Sequence, residues 1–280
     1  MDNYQLTQDQ ITAYGVCLRT EEHTPSTIEK YLRDTRAFAV WLEGRPVTRE
    51  LAAEWRDRLL SSGHKPSTVN SMLAAVNGLF RFLGWGIRVK FLKVQRRLFR
   101  DQSRELTRGE YDLLVNTARA AGKERLALLM EAVCATGVRV SEVKYLTVEA
   151  AQCGRAEIAL KGKIRMILLP NKLCRKLLKY ARKQKIASGE IFLTRSGRSL
   201  SRRQIWAEMK QLCKATGVAS EKVYPHNLRH LFARPFYQAC KDIARLADVL
   251  GHSSIETTRI YLVTTGAEQV RQLDRLGLVS

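Results

Sequence analysis

No apolar run in the 280-residue sequence approaches the ~18 residues needed to span a bilayer, and the start, Met1-Asp2-Asn3-Tyr4, lacks the basic and apolar stretches of a signal peptide. A soluble cytoplasmic protein with no membrane partner is expected. The six cysteines (Cys17, Cys134, Cys153, Cys174, Cys213 and Cys240) stand at least nineteen residues apart with no C-x-x-C pair, which disfavours a disulfide framework or a zinc finger. Missing too are a G-x-x-x-x-G-K-S/T phosphate loop, an H-E-x-x-H pair and an acidic cluster for paired magnesium ions. No nucleotide, metal or other cofactor is expected. Acidic residues are themselves scarce: 27 Asp plus Glu against 48 Lys plus Arg leave a net charge of +21. Residues 1–100 hold 16 basic and 10 acidic residues (+6) and the remainder 32 and 17 (+15), so the excess belongs to the folded body and points to nucleic acid.

At 45% apolar and 27% charged residues the composition is that of a globular chain, and its length fits two domains. Thr24-Pro25-Ser26-Thr27 opens a helical pattern through Ile28, Tyr31, Leu32, Phe38, Trp41 and Leu42. It recurs 41 residues later, where Lys65-Pro66-Ser67-Thr68 leads into Val69, Met72, Leu73, Val76, Leu79, Phe80 and Leu83. Two copies are too few for a solenoid, so they read as similar helices of one bundle, with a further helix from Arg49 to Leu60. Residues 88–103 read as a basic linker: Arg88, Lys90, Lys93, Arg96, Arg97 and Arg100 face a single acid, Asp101, a charge run suited to phosphate contacts. Thr107-Arg108-Gly109-Glu110 is a capping box that opens a second domain. Within it, 156–160 and 165–169 read as strands, with Lys161-Gly162-Lys163-Ile164 as a hairpin tip. Lys172–Lys185 reads as helix with seven basic residues and no acid, and Arg195, Arg198, Arg202 and Arg203 follow.

Arg, Lys, His and Tyr are the residues left to do chemistry, and they can perform phosphoryl transfer by charge stabilisation and a covalent side-chain nucleophile. His226 and Arg229 lie three apart, on one face if the segment is helical, where a phosphate can receive a planar fork and an imidazole. Taken singly, the pair also suits an ordinary helix surface. Arg139 follows a helix-ending Gly137, with Glu142 one turn onward to orient it. Gly251 ends another helix, His252 stands at the entrance of the next, Ser253 and Glu256 read as its capping box, and Tyr261 lies about two turns in.

In this order the fragments resemble the tyrosine recombinase (phage-type integrase) family, including its Xer and transposon-integrase members. The family's A-T-G-[LV]-R-x-S-E box is matched at Ala135–Glu142, its H-x-L-R-H box at His226–His230, and its L-G-H-S-S-x-x-T-T-x-x-Y box at Leu250–Tyr261. A lysine-bearing hairpin stands between the first two. The patterns from Thr27 to Phe38 and at Ser67-Thr68-Val69-Asn70 resemble the family's helical core-binding domain, so the resemblance spans nearly the whole chain.

The resemblance implies a mainly α protein with a small β-sheet. An N-terminal SAM-like core-binding bundle (1–87) and a basic linker (88–103) precede a mixed α+β catalytic domain with a C-terminal tail (104–280). It implies that Arg139 and Arg229 grip the nonbridging oxygens of the scissile phosphate, and that Tyr261 attacks phosphorus to give a 3′-phosphotyrosine and a free 5′ hydroxyl. His226 and His252 supply hydrogen bonds and proton management, and a hairpin lysine protonates the leaving oxygen. Because this hairpin is one residue shorter than the usual Gly-Lys-Gly-x-Lys-x-Arg, that lysine is Lys161 or Lys163, with Lys161 favoured. Arg234 and Pro235 depart from the family pattern and are expected to shorten or kink their helix. Implied partners are double-stranded recombination sites and three further copies in a synaptic tetramer, with room for a directionality factor or partner recombinase. Val270, Leu273, Leu276 and Leu278 form a tail stripe suited to a neighbouring subunit, and no residues remain before Tyr4 for an arm-type DNA-binding domain. A type IB-like topoisomerase and a noncatalytic DNA-binding protein of the same fold are the alternatives.

Overall fold

A computed structural model of the chain describes residues 4–94, 102–160, 163–252, 254–261, 270–271 and 273–277; the side chains of Gln102, Leu160 and Lys163 fall outside the description. The chain forms two compact units, Met1–Arg96 and Arg97–Ser280. It is mainly helical with one two-stranded sheet, the expected class. Among the described residues no helix is long and apolar enough to cross a membrane.

The first unit is a bundle of α1 (Gln8–Thr20), α2 (Pro25–Leu42), α3 (Arg49–Ser61) and α4 (Pro66–Phe82). Both α2 and α4 start on a proline, whose fixed φ suits the first helical position. Their buried faces keep the sequence offset: Ile28, Thr35 and Phe38 on α2 correspond to Val69, Val76 and Leu79 on α4. Lys30 Nζ links the two helices, donating to Ser71 O at 3.2 Å and to the buried Asp34 carboxylate at 2.6 Å. Phe38 is fully buried, its ring meeting Trp55 and Phe80 edge-on at 5.0 and 5.7 Å; burial of such a side chain contributes roughly 1.5–3 kcal/mol.

The start of the basic stretch is fastened to this unit. Ile87 and Val89 are buried while Arg88 and Lys90 alternate outward. Asn77 pairs with both backbone groups of Val89 (2.9 and 2.9 Å), and Asn70, two turns earlier on α4, does the same for Leu92 (2.9 and 2.8 Å). Extended backbone without a strand neighbour must find such partners. Asn77→Ala is therefore expected to lower the unfolding free energy of this unit by about 1–3 kcal/mol, the cost of stranding a donor and an acceptor, read by urea denaturation of the full chain.

In the second unit, α5 (Arg108–Ala120) opens with the Thr107/Glu110 capping box, both reciprocal bonds present, and α6 (Glu124–Thr136) is its partner. A 3₁₀ segment (Val140–Tyr145) and α7 (Val148–Cys153) lead to β1 (Arg155–Leu160) and β2 (Lys163–Leu168), antiparallel with Leu160 opposite Lys163 and Arg155 opposite Leu168. Lys163 and Ile164 thus belong to a strand rather than to the hairpin tip, because the shorter connection leaves two residues between the strands. Then follow α8 (Asn171–Lys183), α9 (Arg202–Thr216), α10 (Pro225–Cys240), α11 (Ile243–Leu250) and α12 (Ile255–Arg259). The principal core spans α5 to α10, and Ala233, Leu246, Leu250 and Tyr261 form a smaller one. Of the two effects expected of Pro235, shortening does not occur: α10 continues to Cys240 and ends on Lys241 in the left-handed conformation.

Two expectations near the C-terminus need correction. The N-cap of α12 is Ser254, whose Oγ accepts from Glu256 N at 3.2 Å; Ser253 lies outside the described residues. Tyr261 does not lie inside that helix. It follows the helix end in a turn, its N–H donating to Thr258 O at 3.0 Å.

Candidate active site

Three helix ends and one strand place the functional side chains. Gly137 terminates α6 in the left-handed conformation (φ 64°), which turns the chain so that Arg139 opens the 3₁₀ segment. Pro225 starts α10, putting His226 and Arg229 within its first five residues. Gly251 (φ 62°) ends α11 and delivers His252. Strand β2 contributes Arg165, which the sequence does not single out as a site residue.

The arginines meet at the end of α11. Its last carbonyls, left without intrahelical partners and at the negative end of the helix dipole, each accept from a different guanidinium. Arg165 donates to Val249 O (2.8 Å), Arg229 to Leu250 O (2.6 Å) and Arg139 to Gly251 O (2.8 Å). Arg229 also donates to Gly137 O, so one buried cation, 2% exposed, serves the ends of both α6 and α11. Glu142, equally buried, is the counter-charge: Oε1 accepts from the Arg139 guanidinium at 2.9 Å, and Oε2 from Arg139 N at 2.8 Å and from Arg165. Burial pushes this carboxyl up. The Arg139 N–H and the Arg165 and Arg139 guanidiniums outweigh that and hold it below the usual carboxylate range. Three arginines converge here and one glutamate, paired with Arg139 and Arg165, answers them, so two positive charges are left over, suited to an anion.

Tyr261, 3% exposed, lies over this cluster with its Oη 3.4 Å from Arg229 Nε. Three imidazoles surround its ring, with centroids at 4.5 Å (His230), 5.8 Å (His252, nearly parallel) and 6.0 Å (His226). His252 Nε2 stands 2.9 Å from Arg229 Nη2 and Nδ1 stands 2.8 Å from Thr258 Oγ1. A guanidinium can only donate, so Nε2 accepts and the ring proton sits on Nδ1, pointing at the threonine. Burial first, then Arg229, Arg139 and Arg165, push the His252 pKa down to about 4. His226 lies at the rim with one side exposed; desolvation of its inner side, followed by Arg229 and Arg139, also lowers its pKa.

A pH dependence follows. An unfolded imidazole takes its proton near pH 6.5, and folded His252 near 4, so between those values the unfolded chain binds the extra proton. This contribution leaves stability untouched above about pH 6.5 and lowers it as the pH falls towards 4. In a proton NMR titration the His252 ring signals are expected to stay at their neutral positions until close to pH 4. A midpoint near 6.5 would refute the arrangement.

Of the sequence-derived candidates, Arg139, His226, Arg229, His252 and Tyr261 are brought together, although they lie as far apart in the chain as residues 139 and 261. Lys161 lies outside the described residues, as does the side chain of Lys163. Arg88, Lys90 and Lys93 are exposed on the first unit, and Arg96, Arg97 and Arg100 lie outside the description. His230, Thr258 and Arg165 join the site without having been foreseen. His230 had a signal, standing one turn beyond His226; Arg165 had one in the closing arginine of the hairpin pattern.

Residues 104–267 match the phage integrase family, and residues 11–86 match the phage integrase N-terminal SAM-like domain. The chain belongs to the phage integrase family. Tyrosine recombinase XerC of Roseiflexus castenholzii is 31% identical over 282 residues, covering 90% of this chain and 88% of the relative. Tyrosine recombinase XerA of Thermococcus kodakarensis is 28% identical, covering 91% and 90%. In fold, this integrase resembles a lambda integrase tetramer bound to a Holliday junction, with a TM-score of 0.74 at 19% identity, over 93% of this chain and 78% of that one. Relatives of this kind do not favour the topoisomerase and noncatalytic alternatives.

Proposed function

We propose that this integrase is a site-specific recombinase that cuts and rejoins double-stranded DNA through a covalent 3′-phosphotyrosine at Tyr261. The observation that carries the reading is the junction of Tyr261 Oη, Arg229 and His252 over a cluster with surplus positive charge. Tyr261 Oη attacks phosphorus, the bond to the 5′ oxygen breaks, and that oxygen leaves as a hydroxyl after taking a proton from Lys161. His226, neutral at pH 7 and at the open rim, takes the phenolic proton. Arg139 and Arg229 stabilise the charge that develops on the nonbridging oxygens, and neutral His252 orients Arg229. The phosphodiester energy stays in the tyrosyl ester, so a 5′ hydroxyl from a second duplex can reverse the attack with no nucleotide or metal.

Arg88, Lys90 and Lys93, together with Arg96, Arg97, Arg100 and Lys163, supply contacts to phosphates, which add affinity without reading sequence. Residues 1–87 act as the core-binding domain, 88–103 as the linker and 104–280 as the catalytic domain. Synapsis uses four copies on two duplexes. The exposure of Val270, Leu273 and Leu276, at 56%, 59% and 60%, supports the tail as a contact between neighbouring subunits.

The test is covalent capture. A duplex enriched from a random-sequence pool by binding to this chain is nicked so that the cut 5′ segment diffuses away, then incubated in chelator. A detergent-resistant protein–DNA adduct is expected, with the peptide containing Tyr261 carrying the nucleotide by mass spectrometry. A bound, nicked duplex that yields none, or an adduct on another residue, refutes the reading.

A further inference from the structure

Arg165 is the one guanidinium of the cluster with no part in the reading above, and it ties three separate stretches together. From β2 it reaches the α11 end at Val249 O and the Arg139 box at Glu142 Oε2. It also passes directly under Gly251, where a Cβ would overlap its Cδ and Nε. The left-handed φ of 62° already favours glycine there, and the passage of Arg165 demands it a second time. Its side chain is only 15% exposed, and its Nε has no hydrogen-bond partner among the described residues. A buried cation with one orphaned donor is costly to retain for packing alone.

We propose that Arg165 is a positioning residue that sets the catalytic geometry of Arg139 through their shared carboxylate, Glu142. The two guanidiniums take different oxygens of Glu142, and Oε2 also accepts from Arg139 N at 2.8 Å. With Arg165 on Oε2, the carboxylate plane is fixed and Oε1 is directed at Arg139 Nη1, while Arg139 Nη2 is left for Gly251 O. Without Arg165, Oε2 keeps only the Arg139 N–H, and the carboxylate can pivot on that single bond to take both donors of the Arg139 fork, drawing it away from the position over the α11 end. Arg165 also lies four residues beyond Lys161 in the sequence, and it ties β2, the strand that follows the proposed general acid, to the groups that bind the phosphate. The inference rests on the proposed role of Arg139 as a phosphate ligand.

The test compares two scissile groups in the nicked duplex, with the cleavage position mapped by the parent protein. One is the normal phosphodiester; the other is a methylphosphonate, in which a methyl replaces one nonbridging oxygen and removes the negative charge that Arg139 would stabilise. Arg165→Gln is expected to slow adduct formation by about 10–100-fold on the phosphodiester, the scale of a small misplacement of a catalytic group, and much less on the methylphosphonate. Arg165→Lys, which keeps the charge and can make one of the two bonds, is expected to fall between the parent and Arg165→Gln, and it carries the comparison if the glutamine variant does not fold. Equal losses on both substrates, or no loss on the phosphodiester, would overturn the proposal. Arg139→Ala is run alongside: a selective loss on the phosphodiester upholds its own role whatever Arg165 does, whereas equal losses on both substrates overturn that role and the inference with it.

Discussion

Tyr261→Phe is expected to bind the enriched duplex like the parent and to form no detergent-resistant adduct. The substitution removes a single oxygen. Among the described residues that oxygen makes one hydrogen bond, a long one of 3.4 Å from Arg229, while the ring keeps its place among the three imidazoles and in the small core with Ala233, Leu246 and Leu250. Stability is therefore expected to change by less than about 1 kcal/mol, the ordinary net worth of a hydrogen bond. The rate should fall by more than about 10⁴-fold, the scale on which covalent catalysts respond to loss of their nucleophile. The contrast between an unchanged fold and a vanished product makes the measurement decisive. Adduct formation by the phenylalanine variant at even a hundredth of the parent rate would move the nucleophile elsewhere.

Arg229→Ala is expected to fail in both respects. Arg229 supplies the donors for Gly137 O and Leu250 O and a partner for His252, all within a region closed to water. Removing it strands two helix-end carbonyls at about 1–3 kcal/mol each, so a loss of roughly 2–6 kcal/mol in unfolding free energy is expected. The catalytic loss is expected to reach about 10³–10⁵-fold, the range measured when an arginine is withdrawn from a phosphoryl-transfer site. Arg229→Lys separates the two effects. One ammonium keeps the charge and can satisfy one or two of the four partners, so stability should partly return while adduct formation stays at least about 10²-fold down, because the planar fork is gone. Both variants must be assayed at a temperature where circular dichroism shows them folded. A lysine variant with near-parental rate would show that charge alone suffices.

The relation between sequence and structure is uneven for physical reasons. Helices α2 and α4 were readable because a proline start and an apolar stripe are local features, and the Thr107/Glu110 box because both of its partners lie within four residues. The cap of α12 was misplaced by one residue: adjacent serines offer the same hydroxyl, and only the backbone angles decide which one caps. The meeting of Arg139, Arg165 and Arg229 at the α11 end was beyond reading, since what they bind are carbonyls, which every residue carries. Pro235 does not shorten its helix because the rule that proline ends a helix concerns backbone propensity, whereas α10 is held by its buried face, including Leu228 and Ala233.

The two asparagines of α4 have a consequence for salt and affinity. They grip main chain and not side chain, so Arg88 and Lys90 are displayed from a rail whose course is already settled before any polyanion arrives. A phosphate meeting them has little chain entropy to remove, roughly 1–2 kcal/mol less for each residue already fixed. Loosening the rail would thus weaken attachment without deleting a charge: the affinity would drop, while the slope of log K against log salt, which counts displaced counterions, would stay where it was.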